Sequence, residues 1–532
     1  MSLHTSDILW EAMRNPAFYP HTTHNIQVIH THISTIFLTG EFAYKVKKPV
    51  NFGFLDFSQL ADRQHFCEEE IRLNRRLAPQ IYLEVVPILQ IGNTYQLGSA
   101  ATPAAAINAT VVEYAVKMRQ FDPAQQLDRL LAAEHLPIEY MDEIATRLTQ
   151  FHQQAESAPT ASAWGTPDSI LAPMQQNFAM LRQHLHDLVV LQPTLMTRLS
   201  VLEAWTQQEY SRCHTNLLQR RQNGHIRACH GDLHLGNIAL IDSKITFFDG
   251  IEFNEALRWI DTASDTAFLL MDLEDRGKPS WANRLLNAWL SASGDYDALP
   301  VLNFYKVYRA MVRAKVHALR LSQVEDEVTR AECLQHCVNY LNLAASYTQA
   351  RQAALLITHG LSGSGKSWGC RPLVEQWGYI QLRSDVERKR LTTLPADSLY
   401  NPAMNARTYD RLATLTTLAL QHDYPVVVDA TFLDIAQRQR FQTLAQQLHV
   451  RFLILHFSGT PAQLQANITQ RQYIGTDASD ADLAVLQQQL THYKPLQDNE
   501  PCVTVRCNES LPLAKLQALL DCPEKHGVEN AP

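Results

Sequence analysis

The stretch His230-Gly231-Asp232-Leu233-His234-Leu235-Gly236-Asn237, followed by Phe247-Phe248-Asp249-Gly250, decides the reading of the larger part of the chain. Between them, Ile238-Ala239-Leu240-Ile241 and Ile245-Thr246-Phe247-Phe248 flank a turn at Asp242-Ser243-Lys244, the pattern of a β-hairpin. Such a hairpin brings Asn237 and Asp249 to neighbouring ends of paired strands, as shared metal binding requires. Oxygen ligands from two adjacent loops suit a hard cation carrying nucleotide phosphates. Asp232 is then placed to accept the proton of an attacking hydroxyl, and Asn237 and Asp249 to hold magnesium. His230, Asp232 and His234 also spell H-x-D-x-H, a set that can serve a metal-dependent hydrolase. No second His/Asp cluster of similar density completes such a site, and it leaves Asn237 and Asp249 unexplained.

Working back towards the N-terminus, Gln27–His30, Thr35–Leu38 and Phe42–Lys47 read as three short strands, the last two joined at Thr39-Gly40-Glu41. Lys45 and Lys47 are two apart and face the same side of a strand, so either can reach nucleotide phosphates; a solvated edge-strand lysine is the competing reading. The turn Thr31-His32-Ile33-Ser34 carries no glycine-rich loop, only hydroxyls and backbone N–H groups for phosphate. A helix is expected over Asp62–Leu77, with Phe66, Ile71, Leu73 and Leu77 on its apolar side. Of Glu68-Glu69-Glu70, Glu70 is the expected lysine partner, with Glu69 as alternate; a solvated acidic face is the other reading. Strands at Glu84–Ile91, Thr94–Leu97 and Ala109–Tyr114 follow, and Glu113–Met118 is expected to lead on as a connector whose backbone can bond an adenine edge. Residues 121–228 are helical in pattern, with Pro159, Pro167 and Pro173 expected to break the run.

Over roughly residues 25–320 the sequence resembles the aminoglycoside phosphotransferase and choline kinase-like family, within the protein-kinase-like fold. His230-Gly-Asp-x-His-x-Gly-Asn237, Phe248-Asp249 and Ser264-Asp265-Thr266-Ala267 carry the resemblance. It implies that Asp232 is the catalytic base, that Asn237 and Asp249 are metal ligands, and that Asp265 braces the catalytic loop. Gly231 stands where many protein kinases have arginine, and no long activation segment follows; both departures point to a small-molecule acceptor.

The last third carries a second signal. The apolar run Ala353–Thr358 leads into Gly360-Leu361-Ser362-Gly363-Ser364-Gly365-Lys366-Ser367, a G-x-x-x-x-G-K-S P-loop (Walker A) between a strand and a helix. The loop N–H groups, at Gly360, Ser362, Gly363, Ser364 and Gly365 among others, cradle phosphates; Lys366 reaches the terminal ones and Ser367 binds magnesium. Tyr379–Leu382 reads as a strand, after which Asp385 can deprotonate an acceptor hydroxyl while Arg388 holds a substrate anion; a helix N-cap by Ser384 or Asp385 is the alternative. Asp429 ends another strand in a Walker-B-like position, suited to the metal. Arg438 and Arg471 are candidates to close over the transferring phosphate, or are simply solvated helical arginines. Residues 353–520 resemble ATP-dependent kinases grouped with polynucleotide 5′-kinase and zeta-toxin-type P-loop kinases. That resemblance implies Asp385 as acceptor-activating base and Arg471 as lid arginine. The order of the two modules resembles a bacterial bifunctional protein.

The chain has 532 residues, 46% of them hydrophobic and 19% charged, with a net charge of −8 and a pI near 6.3, which argues against a dedicated nucleic-acid coat. Nine cysteines occur without a CxxC pair, and no window reaches the length and apolarity of a membrane span, so a cytoplasmic protein with reduced thiols is expected. The organisation expected is a lead-in (1–24), an N-lobe (25–120) and a helical C-lobe (121–350) of an α+β kinase-like bilobal domain, then an α/β P-loop domain with a mostly parallel sheet (351–520) and a tail (521–532). The function expected is a bifunctional phosphotransferase using ATP and Mg2+ at both sites, each passing the terminal phosphate to a hydroxyl acceptor, a small molecule. The alternative makes the P-loop module a polynucleotide or nucleotide-sugar kinase and the first module a nucleotide-sensing regulator. Nothing in the sequence reads out the oligomeric state.

Overall fold

The computed structural model describes residues 5–23, 25–53, 55–98, 109–185, 193–321, 323–324, 326–392, 401–474 and 481–521. The chain divides into two compact units, Met1–Gln183 with Leu217–Asp272, and His184–Asn216 with Leu273–Pro532.

The first unit contains a six-stranded antiparallel sheet of order β1-β2-β3-β6-β4-β5. Its strands are β1 (Gln27–His30), β2 (Ser34–Leu38), β3 (Phe42–Lys47), β4 (Tyr82–Ile91), β5 (Thr94–Leu97) and β6 (Thr110–Arg119). One face buries Phe37, Tyr44, Val46 and Ile88 in an apolar cluster, and the helix Leu60–Asn74 is paired with the other through Lys45 and Lys47. The strand expected to end at Tyr114 continues to Arg119, so the connector begins later than the sequence suggested. Pairing overrides local pattern here: β6 sits between β3 and β4, Ala115 and Val116 are fully buried, and Lys117 reaches Glu84 across the ladder at 2.9 Å. Pro173 breaks nothing; it lies inside the helix Pro167–Leu185, whose Leu171, Met174, Phe178 and Leu181 are buried and hold it in place. Two short pairs complete the unit. β7 (Ile226–Ala228), too short to read from pattern, pairs with β10 (Trp259–Asp261), and β8 (Ile238–Ile241) with β9 (Lys244–Phe247) in the expected hairpin.

The second unit carries a five-stranded sheet, parallel throughout, of order β12-β13-β11-β14-β15. These are β11 (Ala354–His359), β12 (Ile380–Arg383), β13 (Val426–Asp429), β14 (Arg451–Ser458) and β15 (Cys502–Arg506). β11 and β13 are buried along their whole length, as a strand with neighbours on both sides and covered faces must be. β15 is an edge strand whose residues alternate between exposed and buried, a period-2 pattern that sequence reasoning passed over. In open parallel sheets ligands bind beyond the carboxyl ends of the strands, which here place Gly360, Arg383 and Asp429 together. Among the described residues no helix is long and apolar enough to cross a membrane.

Candidate functional site

The first site begins with the alternation of β3, which sends Tyr44 and Val46 into the apolar cluster and Lys45 and Lys47 towards the helix Leu60–Asn74. That helix buries Arg63, Cys67, Glu70, Ile71 and Asn74, a single face at helical spacing. Glu68 is exposed and Glu69 pairs with Arg72 at 2.7 Å, so Glu70 is the acid turned inward. Its Oε1 lies 2.8 Å from Lys45 Nζ and its Oε2 2.8 Å from Lys47 Nζ. The two lysines then diverge. Lys45 donates to Asp249 Oδ1 at 2.6 Å, whereas Lys47 has no exposed surface and donates to Glu252. Lys45 is therefore the lysine that the fold delivers to the candidate metal ligand, and Lys47 binds the helix to the Gly250–Glu252 segment.

Charge in this patch is tightly matched. Burial would raise the Glu70 carboxyl, but Lys45 and Lys47 hold it down at about 2. Burial would lower Lys45, and Asp249 followed by Glu70 keeps it well above the ordinary lysine value. Burial pushes Glu252 upward against the pull of Lys47.

The catalytic-loop candidate is pinned from beneath. Asp265, with no exposed surface, accepts from the N–H groups of His230 at 3.2 Å and Gly231 at 3.0 Å, and stands 3.0 Å from His152 Nε2. Gly231 has φ +86°, and a Cβ there would lie 2.7 Å from the Leu257 carbonyl oxygen, so the loop has no place for a side chain at this position. Asn237 Nδ2 donates to the Asp232 carbonyl at 2.9 Å and to Asp232 Oδ2 at 3.2 Å. These bonds leave the Asn237 amide oxygen as the atom offered to a cation. The Phe248 N–H donates to Asn237 O at 3.0 Å, which ties the loop to Asp249. Asp249 adopts a left-handed backbone (φ +60°), fixed by its own N–H donating to Tyr82 Oη at 3.0 Å and by Gly250 N–H donating to Asn74 Oδ1 at 2.7 Å. Asp232 and Asp249 keep 39% and 46% of their side-chain surface exposed, in contrast to Glu70 and Asp265, and are the acids a substrate can touch.

The H-x-D-x-H alternative does not assemble. His230 Nε2 is bonded at 2.9 Å to the Phe248 carbonyl, and burial lowers its pKa. Among the described residues the group that brings three His, Cys or acid ligand atoms together is His152, Cys229 and Asp265, which contains neither Asp232 nor either histidine of the motif. Asp265 in that group is already committed to the loop N–H groups. The Thr31–Ser34 turn also closes on itself, with Ser34 N–H donating to Thr31 Oγ1 at 2.9 Å.

The second site is built on one loop. Gly360 sits at φ +149°, and a Cβ there would be 2.4 Å from Phe457 O, so only glycine lets the loop leave β11 beside β14. Lys366 Nζ donates to Gly360 O at 3.0 Å and Leu361 O at 2.9 Å, and burial lowers its pKa. A cavity of about 850 Å³ is bounded by Lys366, Ser367, Asp385, Arg388, Asp429 and Arg471, among others. Asp429 accepts from Gln381 at 3.1 Å and lies 3.7 Å from Arg383 Nε. Arg388 is 6% exposed and donates to Asn405, and Arg471 donates to the Ala481 carbonyl. Asp385 is no helix cap: the helix Ser384–Arg390 has Arg383 at its N-cap position and no side-chain cap bond.

The fold places Arg438 elsewhere. It is 1% exposed, outside the cavity lining, with its guanidinium on both Glu500 oxygens at 2.6 and 2.9 Å and on Phe432 O at 3.0 Å. Its burial leaves no surface for a phosphate, and its geometry is that of a structural ion pair. Sequence reasoning passed over Glu252, His152, Asn405 and Gln489. Glu252 carried a usable signal, an acid close behind Asp249. Gln489, whose Oε1 accepts from the Ser362 N–H of the P-loop at 2.8 Å, sits in a glutamine run that reads as a solvated face.

Residues 54–302 match the model of the Phosphotransferase enzyme family, and residues 355–496 that of an AAA domain. An uncharacterized protein of Mycobacterium tuberculosis is 30% identical over 471 residues, an alignment that spans 87% of this chain and 89% of that protein. The chain belongs to the same family. Among solved structures, it is similar to an ethanolamine kinase of Plasmodium vivax (11% identity, TM-score 0.37, 60% of this chain and 83% of the other). It is also similar to the APS kinase CysC of Mycobacterium tuberculosis, seen with AMPPNP and APS (19% identity, TM-score 0.26, 32% and 99%). The protein is a phosphotransferase in which a kinase-like domain precedes an all-parallel P-loop domain.

Proposed function

We propose that the protein transfers the terminal phosphate of ATP at two separate sites, each to a hydroxyl group of a small molecule. For the first site the supporting observation is the run Glu70–Lys45–Asp249, which meets Asp232 and Asn237 through the Asn237 bonds. Lys45 orients phosphate, Asp232 accepts the proton of the attacking hydroxyl, an O–P bond forms at the terminal phosphorus, and the bond to the ADP oxygen breaks. Asn237 and Asp249 offer hard oxygen donors that fit magnesium, as do Ser367 and Asp429 in the second site. Magnesium, when bound, supplies neutralisation of the phosphate charge. At the second site Gly360–Ser367 holds the phosphates, Asp385 takes the acceptor proton, and Arg471 supplies positive charge at the transferring group.

Arg388, nine-tenths buried yet lining the cavity, supports an acceptor that carries a carboxylate, sulfate or phosphate beside its hydroxyl. The relay from Glu70 to Asp249 also supports turnover in the first module over nucleotide sensing without turnover. The test is ATP consumption across a panel of hydroxylated metabolites, with Asp232→Asn and Lys366→Ala assigning each activity to its module. A panel in which neither substitution lowers any acceptor-dependent turnover overturns the reading. An acceptor dependence satisfied only by a 5′-hydroxyl polynucleotide replaces the small molecule at the P-loop site.

A further inference from the structure

Among the described residues the P-loop sheet has an edge at β12, which pairs only with β13. The free side of such a strand leaves backbone N–H and C=O groups to be satisfied by something other than a sheet neighbour. Here a side chain does it. Asn287, on the helix Pro279–Ser293, donates from Nδ2 to Tyr379 O at 3.0 Å and accepts at Oδ1 from Gln381 N–H at 2.7 Å. One carboxamide thus stands in for two rungs of a missing strand. A turn earlier, Asn283 donates to Glu375 O at 3.1 Å, and Arg284 lies 3.2 Å from the Glu375 carboxylate. The helix is anchored by its own buried face, Ala282, Leu285, Leu286, Trp289 and Leu290.

Contact continues past the end of that helix. Gly294, at φ +73°, lies against the Arg390 guanidinium, which a Cβ there would approach to 2.5 Å, and Arg390 donates to Ser291 O at 2.6 Å. Tyr296, 2% exposed, bonds through its hydroxyl to Glu387, which is itself fully buried and also takes Arg390 at 3.4 Å and Arg411 at 3.3 Å. Arg390 and Glu387 belong to the helix Ser384–Arg390, the helix that carries Asp385 and Arg388. Both the strand that leads into the acceptor side of the cavity and the helix that forms it are therefore held from one segment, residues 279–298. All of these residues lie in the second unit, although the whole of segment 279–298 falls inside the region matching the phosphotransferase family rather than the AAA domain.

We propose that Asn287 and Tyr296 are positioning residues of the P-loop site, fixing Asp385 and Arg388 relative to the phosphate loop. The site is then not self-contained within residues 351–520, and a change in the kinase-like region reaches the second reaction through β12 and the helix Ser384–Arg390. The inference rests on the reading of Asp385 and Arg388 as the acceptor-side pair. The phosphate-holding groups, on β11 and its loop, make no contact with Asn287 or Tyr296 through these bonds, so the acceptor step and the nucleotide affinity should separate.

The test uses the full chain in an Asp232→Asn background, with ATP hydrolysis to water as the probe reaction and Lys366→Ala as its blank. Asn287→Ala is expected to raise amide exchange at Gln381 about tenfold or more and to lower kcat about tenfold, with KM for ATP within about twofold. Tyr296→Phe, which deletes a single oxygen and keeps the ring packing, should lower kcat without shifting the thermal midpoint in proportion. Asn287→Asp, still able to accept from Gln381 but not to donate to Tyr379, should fall between wild type and Asn287→Ala. Faster exchange with kcat unchanged makes Asn287 a structural edge cap only and overturns the proposal, as does a rise in KM that tracks the fall in kcat. Asp385→Asn separates the two levels. If it leaves hydrolysis intact, the acceptor-side reading fails and takes the proposal with it. If it abolishes hydrolysis while Asn287→Ala and Tyr296→Phe do not lower kcat, the positioning role alone is wrong.

Discussion

The two candidate phosphate sites hold their lysines in opposite ways. Lys366 lies in a loop whose anion-binding groups all fall within Gly360–Ser367, and its Nζ bonds to carbonyls of that same loop. Lys45 takes one partner from a neighbouring helix and another 204 residues along the chain. A local site costs little chain entropy to close, while a long-range site exists only when the whole unit has folded around it. The first site should therefore be fragile to changes outside its catalytic residues, and the second should fail through its own loop or through the framework of its acceptor side.

The largest expected effect tests whether the two are separate enzymes. Asp232→Asn removes the proposed proton acceptor of the first site and should lower its turnover about 10³-fold. Lys366→Ala should abolish the second activity and leave the first within about twofold of wild type. Acceptor-specific ATP consumption measures both. Loss of both activities in either single variant would break the comparison by making the sites interdependent.

Next in size is the contrast between the two lysines of β3. Lys47→Met leaves Glu70 and Glu252 sharing a buried patch with one cation fewer, and breaking a buried pair in this way costs about 3–5 kcal/mol in urea denaturation. Lys45→Met should lower turnover at the first site more than it lowers stability, because Glu70 retains Lys47. The pH dependence has a fixed sign. Glu70 is depressed from 4.5 to about 2, so its stabilising contribution is complete above 4.5 and is lost as pH falls towards 2. In Lys47→Met that acid limb should flatten. An unchanged acid limb in the variant would remove Lys47 from the cause of the depression.

The same logic ranks the arginines of the second unit. Arg438→Ala leaves Glu500 without its bidentate partner and should lower stability by about 3 kcal/mol, with KM for ATP unmoved. Arg471→Ala should do the reverse, lowering turnover while shifting stability by no more than about 0.5 kcal/mol. Equal stability losses in the two would erase the distinction drawn between a cavity arginine and a structural one.

These contrasts also mark what could be read from the chain. Gly360–Ser367 was legible because its chemistry is contiguous and its glycines are demanded by backbone approach, as the 2.4 Å clearance at Gly360 shows. His230–Asp249 was legible for a similar reason, since one hairpin joins Asn237 to Asp249. The choice between Lys45 and Lys47 was not, because both face the same side of β3 and only the return of Asp249 and Glu252 from distant sequence separates them. Glu70 was reached through Ile71 beside it, yet the buried face of its helix carries Arg63, Glu70 and Asn74, so hydrophobic periodicity understates it. Arg438 and Arg471 look alike as letters on helices. Burial against Glu500 is a tertiary fact with no local signature.

The smallest expected effect concerns Gln489. Its Oε1 takes the Ser362 N–H at 2.8 Å, one of the donors that a P-loop uses for phosphate, so nucleotide and Gln489 compete for one hydrogen. Leu486 and Leu490 flank it and pack with Leu361, Leu464 and Ile468, which holds the carboxamide at the loop. A single neutral hydrogen bond contributes about 1 kcal/mol net, so Gln489→Ala should bind MgADP about fivefold more tightly at the second site. Gln489→Glu should bind it more weakly than wild type, because a carboxylate holds the N–H more strongly and repels phosphate. Calorimetry in a Lys45→Met background isolates this site. Weaker binding by Gln489→Ala would show that the glutamine is a nucleotide contact rather than a competitor. The two sites would then differ in a further respect, since at the first an acid must share the lysine with phosphate, whereas at the second the lysine is shared with loop carbonyls and Gln489 would stand with the nucleotide.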